Sequence, residues 1–254
     1  MGDTPMRRGK IMKSVILAGG KGTRLLPYTT VLPKPLMPVG PMPILEIVLR
    51  QQYFYGVRDV TLACGHLAEL IEAYLHRHPL SQRMKIRYYV ESKPLGTAGA
   101  LRAIPGLDET FLVMNGDILT TINYAALVAQ HKQSGAALTI AVTQKKIKIE
   151  LGVLLIDDKK HVVGYDEKPI KQFPASTGIY VYEPRVLQHM RPDEPLDFPT
   201  LVLRLIAAGE TVAAYTTDEF WLDIGNKDDF ERAGEEFEKR RADLHVDADL
   251  SVAV

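Results

Sequence analysis

Cysteine is nearly missing from this chain of 254 residues: Cys64 stands alone in the apolar run VTLAC, which excludes an internal disulfide framework. A reducing, cytoplasmic setting is the expectation that follows. Net charge is missing as well, because 31 Lys and Arg balance 31 Asp and Glu, so nothing in the totals favours nucleic acid or an anionic membrane surface. No apolar run approaches the length of a bilayer span. The basic start MGDTPMRRGKIMK leads into SVILA alone before glycines intervene, too short for the core of a signal peptide. Neither a nucleic acid nor a membrane is expected as a partner, while a small anionic substrate stays open. The histidines (His66, His76, His78, His131, His161, His189 and His245) lack zinc-like spacing with one another or with Cys64. Internal repeats and low-complexity tracts are also absent, which argues against a solenoid or a disordered scaffold.

What is present is enough apolar residue, 46% of the chain, to bury a full core. Ser14 to Ala18 reads as a strand buried on both faces that runs into glycines, and Pro43 to Tyr55 carries apolar residues at helical spacing up to a stop at Gly56. Strands over 59–64, 85–90, 110–114 and 138–142 then alternate with helices over 67–76, 98–104 and 124–134. That alternation predicts an α/β fold with a doubly wound, mostly parallel, Rossmann-like sheet. After Thr143 the pattern changes to short strands at 153–156, 161–165 and 179–182, the signature of a smaller mixed lobe. Helix over 198–208, strand over 211–216 and a charged helix over 228–241 complete the chain. The expected division is an N-terminal extension (1–12), a folded domain (13–242) whose two parts meet at 143/144, and a C-terminal tail (243–254).

The segment LAGGKGTRLLPYTTVLPKPLMPV follows directly on the first strand. Gly19, Gly20 and Gly22 fall where a backbone must approach something closely, and Lys21, Arg24 and Lys34 follow to neutralise an anion. A bare tight turn would use the same glycines. The spacing fits neither a P-loop, since no Lys-Ser or Lys-Thr follows, nor the dinucleotide fingerprint. Asp117 closes Asn115-Gly116-Asp117 at the carboxyl end of a strand, where open α/β sheets bind ligands, and Asp223 sits in Trp221-Leu222-Asp223-Ile224-Gly225 far along the chain. Two distant aspartates with phosphate oxygens and water satisfy Mg²⁺, although either one taken alone is better read as the cap of a turn or helix. Glu91 and PLGTAGAL lie between strand and helix, and Glu167-Lys168-Pro169 ends a strand.

The order GGKGTRL, PKPLMPV, PLGTAGAL, NGD, EKP and WLDIG resembles the signature of the sugar-1-phosphate nucleotidyltransferases, from Lys13 to about Glu238. Its Thr-Ala-Gly version is most similar to the mannose-1-phosphate guanylyltransferase-like branch. The resemblance implies the nucleotide-diphospho-sugar transferase type of Rossmann-like fold with a sugar-binding lobe. It implies transfer of a nucleotidyl group, from GTP by preference, to a sugar 1-phosphate of mannose or heptose type with release of pyrophosphate. UTP, CTP, dTTP or a cyclitol phosphate stay open as alternatives. Carried over residue by residue, it implies a nucleotide held by Leu17, Ala18, Gly19, Gly20, Gly22, Thr23, Glu91, Gly96, Thr97, Asn115 and Gly116. Gly152, Glu167, Lys168 and Thr177 would meet the sugar phosphate; Arg24, Lys34 and Lys168 would act in catalysis; Asp117 and Asp223 would hold Mg²⁺.

Two departures fall near the sugar: Ser176-Thr177 stands where an Asn-Ala pair often precedes the glycine, and Leu151 stands where an aromatic is common. A non-catalytic regulatory subunit could have lost Arg24, Lys168 or the aspartates, yet all are present. A glycosyltransferase would be expected to show Asp-x-Asp, and the NGD segment offers one acid. No added β-helix domain is expected, and homo-oligomerisation is the default.

Overall fold

A computed structural model of the chain describes residues 12–91 and 93–247. The opening strand β1 (Met12–Ala18) is followed by three short 3-10 turns, a two-stranded ribbon of β2 (Pro38–Val39) and β3 (Met42–Pro43), and helix α1 (Ile44–Phe54). Then come β4 (Val57–Cys64), α2 (Ala68–Leu75), α3 (Pro79–Arg83), β5 (Lys85–Val90), the single turn α4 (Gly96–Gly99), β6 (Phe111–Asn115), β7 (Ile118–Thr120) and α5 (Tyr124–Ser134). The second half holds β8 (Leu138–Lys148), β9 (Val153–Ile156), β10 (Val162–Asp166), β11 (Ile170–Tyr182), α6 (Phe198–Ala207), β12 (Val212–Thr216), β13 (Trp221–Asp223) and α7 (Lys227–Arg240).

Seven strands form the central sheet in the order β12-β8-β11-β6-β1-β4-β5. Only β11 runs antiparallel to its neighbours, so the expected mostly parallel, doubly wound α/β architecture is the one observed. Each inner strand alternates its side chains between two cores, as the period of two requires. Ile16, Leu62 and Leu112 pack under α1, α2 and α5, whereas Val15, Ala63 and Val113 pack under α4 and α6. A third cluster joins α1 and α7 to β7 and β13 through Ile47, Leu119, Leu222 and Phe237.

The strand order reverses beside β1. The chain leaves β1 for β4 and β5 on one side and returns to place β6 on the other, with Leu17 opposite Asn115. Loops at the carboxyl ends of strands at such a switch point diverge and leave a crevice for a ligand. Here those loops are Gly19–Gly22 and Asn115–Asp117.

Several sequence expectations shift. The strands expected over 138–142 and 179–182 are the ends of longer ones, β8 and β11, which pair as far as Ile170 opposite Lys148 and leave the main sheet as a ribbon. That ribbon carries β9 and β10, which pair with each other. The helix expected over 98–104 is a single turn followed by a 3-10 turn, since Gly96 and Gly99 begin it. Residues 243–247, expected as tail, are partly tied down: Leu244 and Val246 are buried in the third cluster, because the face of α7 leaves apolar surface for them to cover. The expected N-terminal extension, apart from Met12 in β1, and residues 248–254 lie outside the described residues. Among the described residues no helix is long and apolar enough to cross a membrane.

Away from the crevice, α5 carries His131 into the core. The Thr139 hydroxyl lies 2.8 Å from its Nδ1 and a Glu183 carboxylate oxygen 3.1 Å from its Nε2, the arrangement of a neutral ring that accepts from Thr139 and donates to Glu183. Burial lowers its pKa, and this outweighs the pull of Glu183 upward. The folded ring therefore takes its proton at lower pH than the unfolded one, so the unfolded state binds more protons as pH falls below about 6.5. Stability is expected to fall by up to about 1 kcal/mol per pH unit in that window from this group, with no such loss above pH 7. Urea unfolding of wild type and His131→Gln at pH 7.5 and 5.5 checks it; an equal pH slope in both proteins would refute the assignment.

Candidate active site

Gly22 starts the first 3-10 turn at φ +62°, and its carbonyl accepts a 2.8 Å hydrogen bond from the Thr29 hydroxyl. A side chain there would meet Thr29 at 2.7 Å, so the loop needs glycine both for conformation and for space. Gly19 faces the turn after β4, where a Cβ on Gly65 would stand 2.7 Å from the Gly19 carbonyl oxygen. Gly20, Lys21, Thr23 and Arg24 of this turn are exposed, while Ala18 is buried at its root.

The second loop is tied to the first. Gly116 N–H donates to the Leu17 carbonyl at 2.9 Å, and Ile224 N–H donates to the Asp117 carbonyl at 3.0 Å. The latter bond extends a small antiparallel pairing of β7 and β13 in which Asp223 stands opposite Ile118. Two aspartates 106 positions apart in the chain (223 minus 117) thereby become neighbours. Lys34 joins them: its ammonium donates to one oxygen of Asp117 and lies 3.9 Å from Asp223. Burial raises the Asp223 pKa first and the Asp117 charge adds to it, against the opposing pull of Lys34 and Arg24. Arg24 reaches this group because residue 225 is glycine; a Cβ there would stand 3.1 Å from the guanidinium and 3.3 Å from the Asp223 carboxylate.

Two hollows flank the cluster. One of about 40 Å³ is lined by Ala18, Gly20, Lys34, Gly116 and Asp117. The other, about 300 Å³, is lined by Arg24 and Asp223 together with Gln144, Lys145, Trp221 and Arg232. A roomier hollow of about 620 Å³ lies at the far ends of β7 and β13, but Asp218, Glu219 and Asp243 on its wall make it a poor host for a polyanion.

The Asp117 oxygen that does not face Lys34 is buried without a hydrogen-bond partner. Such an atom is costly unless something binds it, and a divalent cation would. Among the described residues no group of three or more His, Cys, Asp or Glu converges. A pair of carboxylates beside Lys34 and Arg24 is nevertheless a sufficient donor set for a hard cation that completes its shell with water and a ligand's oxygens.

The remaining candidates lie on either side. The Glu91 carboxylate accepts from Leu95 N–H at 3.2 Å and so shapes the turn that presents Gly96 and Thr97. Gly96, at φ +76°, is pressed against the Leu196 carbonyl, and the Thr97 hydroxyl accepts from Phe198 N–H at 2.8 Å. Asn115 abuts Gly178, where a Cβ would stand 2.7 Å from its amide nitrogen. Thr177 is buried, its hydroxyl donated to the Ala141 carbonyl and its own carbonyl accepting from the Trp221 indole at 2.7 Å. That makes it a brace between β11 and β13 rather than an open hydroxyl. Gly152, Glu167 and Lys168 stand exposed on the ribbon; Glu167 accepts from the Tyr165 hydroxyl and lies 3.9 Å from the Lys168 ammonium. Among the described residues no hydrogen bond or ion pair joins these three to the Asp117 cluster. Lys168 adopts φ +48°, a strained conformation for a lysine.

Sequence reasoning missed Gly65, Lys145 and Arg232 and left Trp221 and Gly225 without roles. Arg232 was hidden in a helix read as solvent-facing, and its only local signal is the Asp229 partner three residues earlier. Gly225 carried a signal, a glycine two residues after an acid, but its purpose depends on Arg24.

A family model described as nucleotidyl transferase matches residues 13–240. The chain is 33% identical over 242 residues to a UTP–glucose-1-phosphate uridylyltransferase of Synechocystis, covering 87% of this chain and 62% of that protein. It is 32% identical over 228 residues to a mannose-1-phosphate guanyltransferase of Schizosaccharomyces pombe, covering 86% and 62%. This chain thus spans a little over three fifths of the length of these curated relatives. HddC from Yersinia pseudotuberculosis, solved with GMP-PN, shares the fold with a TM-score of 0.68 at 24% identity, over 89% of this chain and 100% of that one.

Proposed function

The chain belongs to the nucleotidyl transferase family, and from that premise we propose that it transfers a nucleotidyl group from a nucleoside triphosphate to a sugar 1-phosphate. The observation that carries this reading is the meeting of Asp117 and Asp223 around Lys34, beside Arg24 and the glycine turn. In the reaction an oxygen of the sugar phosphate attacks the α-phosphorus, a new P–O bond forms, and the bond to the β-phosphate breaks in line to release pyrophosphate. The transition state concentrates negative charge, so positioning and neutralisation supply most of the rate.

Each residue has a part suited to its place. The backbone of Leu17 to Gly22 with Thr23 lies against the triphosphate, and Asn115 and Gly116 close the crevice from the other strand. Arg24 grips the departing pyrophosphate through its planar fork. Lys34 neutralises the phosphates once it is drawn from Asp117. Asp117 and Asp223 hold a divalent cation, Mg²⁺ by the hardness of the donor set, which when bound supplies charge neutralisation at phosphate oxygens. Glu91, Gly96 and Thr97 border the base. Gly152, Glu167 and Lys168 on the ribbon meet the sugar phosphate, with Lys168 fixing the nucleophile and Thr177 supporting the strand behind them. In this reading residues 13–143 form the nucleotide part and 144–242 the sugar-phosphate part, with a cytoplasmic setting.

GTP is the favoured donor, and a mannose- or heptose-like sugar 1-phosphate the favoured acceptor, in keeping with the Thr-Ala-Gly base segment and the guanyltransferase relatives. The uridylyltransferase relative keeps UTP as the second candidate. Pyrophosphate release from a panel of nucleoside triphosphates and sugar 1-phosphates, with and without Mg²⁺, tests the whole reading; no release from any pair would refute it. With the best pair in hand, Arg24→Ala is expected to lower kcat/KM by about 10²-fold with unchanged unfolding. A loss under threefold would take Arg24 out of the phosphate site.

A further inference from the structure

The loop that follows β5 has a single turn of helix, Gly96 to Gly99, as its regular structure, yet its shape is closely determined. What determines it is a second irregular segment, between the 3-10 turn that ends at His189 and helix α6. Four hydrogen bonds join the two: Leu196 N–H donates to the Leu95 carbonyl at 2.9 Å, the Leu196 carbonyl accepts from Ala98 and Gly99 N–H at 3.0 Å each, and Phe198 N–H donates to the Thr97 hydroxyl at 2.8 Å. The backbones also touch, since a Cβ on Gly99 would stand 2.6 Å from the Glu194 carbonyl oxygen. The loop around Gly96 and Thr97 is therefore moulded on residues 194–198, and a shift in that segment must pass into it.

Residues 190–197 lie in no helix or strand, so something else must fix them. One anchor is the start of α6, where the Asp197 carboxylate accepts from Thr200 N–H at 2.9 Å. The other is Glu194. Its two carboxylate oxygens accept from the two terminal nitrogens of Arg204 at 2.8 and 2.9 Å, and one of them also accepts from Arg191 N–H at 3.3 Å. Arg204 donates in addition to the His189 carbonyl at 2.8 Å. Because Arg204 belongs to α6, one helix holds the segment at both ends.

Ion pairs such as Lys227 with Glu231 tie a helix to itself and contribute little. The Glu194 pair is a two-bond fork between a helix and an irregular segment, fixed in direction as well as in distance. The Arg204 hydrogen bonds pull the Glu194 pKa down to about 2, so the carboxylate stays ionised at any working pH. Neither residue lines the two hollows beside Asp117 and Asp223. We propose that Glu194 and Arg204 are positioning residues for the nucleoside triphosphate: without touching it, they set the shape of the 95–99 loop through Leu196, and with it the affinity for the base. This rests on the reading that places Gly96 and Thr97 against the base. A misplacement of about 1 Å in a binding surface can cost about 10²-fold, far more than an exposed ion pair contributes to stability.

Glu194→Gln keeps the size of the side chain and removes its charge, whereas Arg204→Lys keeps the charge and removes the fork. The probe is whichever of GTP, UTP, CTP and dTTP the wild type binds best with Mg²⁺ in titration calorimetry. Each variant is expected to raise its Kd by about tenfold, and its KM in turnover by as much, with kcat and the KM for the sugar 1-phosphate unchanged. The double variant should do no more than either single one, because both break one unit. The unfolding midpoint should fall by less than about 4 °C. In hydrogen exchange the Ala98 and Gly99 amides should speed up while those of β1 and β6 do not. Unchanged triphosphate affinity in both variants overturns the proposal. So does a rise shared equally by the sugar 1-phosphate, or a midpoint lowered by many degrees, either of which would make the pair plain scaffolding. Calorimetry needs no turnover. A wild type that binds a triphosphate but releases no pyrophosphate refutes the reaction alone, one that binds none of the four overturns both, and full activity with unaltered variants refutes the positioning role alone.

Discussion

Asp117→Ala is expected to lower nucleotidyl transfer by about 10³-fold or more while leaving the fold intact. The part of Asp117 that holds structure is its backbone carbonyl, which accepts from Ile224 N–H, and alanine keeps it. What the substitution removes is a carboxylate with one oxygen on Lys34 and the other buried without a partner. Lys34 is not left alone by the substitution, because the Asp223 carboxylate stays 3.9 Å from its ammonium. Removing it also removes one of the influences that raise the Asp223 pKa, so Asp223 should ionise more readily in the variant. The measurement is pyrophosphate release at saturating substrates across a Mg²⁺ series, alongside thermal unfolding. Activity within tenfold of wild type at saturating Mg²⁺ would remove Asp117 from the cation site. A drop of many degrees in the midpoint would instead make its role structural.

Gly96→Val is expected to produce the largest loss of stability. Gly96 sits at φ +76°, and a Cβ there would stand 2.6 Å from the Leu196 carbonyl oxygen and 2.9 Å from its carbon. That carbonyl cannot retreat cheaply, because it accepts from both Ala98 N–H and Gly99 N–H at 3.0 Å. Strain and lost hydrogen bonds together should cost about 3 kcal/mol or more. Gly106→Val is the control: it shares the positive φ, at +79°, but has open space around it and should cost only the conformational part, about 1 kcal/mol. Urea unfolding of both variants separates clash from conformation. Because Gly96 and Thr97 border the proposed base site, the KM for the nucleoside triphosphate should rise in the Gly96 variant at temperatures where it stays folded. Equal destabilisation by the two substitutions would refute the steric account.

Much of this architecture is legible in the residue pattern, for an identifiable reason. The inner parts of β1, β4 and β6 are buried on both faces, so each holds a short, mainly apolar run, and α1 and α5 announce themselves by spacing and by Gly56 or Gly135 at their ends. The lysine-rich end of β8 and the stretch of β11 that pairs with it are not legible, since a strand outside the core need not alternate. β7 and β13 are three residues each, below the length at which any period can be seen. The pairing that unites Asp117 with Asp223 is therefore the least visible contact in the chain. Likeness of motifs implied it; spacing could not.

Local chemistry alone determined the alternating elements, the glycine turn that exposes backbone N–H groups, and the aspartate at a strand end. It could do so because burial periodicity, capping and the conformational freedom of glycine are written into neighbouring residues. The partners of those groups were decided by the tertiary structure: Arg24 beside Asp223 through the space left at Gly225, Lys34 between the two carboxylates, Thr177 turned into a brace, and Glu194 held by Arg204 behind the 95–99 loop. Each of these depends on which distant backbones meet, and that is settled by packing of the whole core rather than by any stretch of sequence.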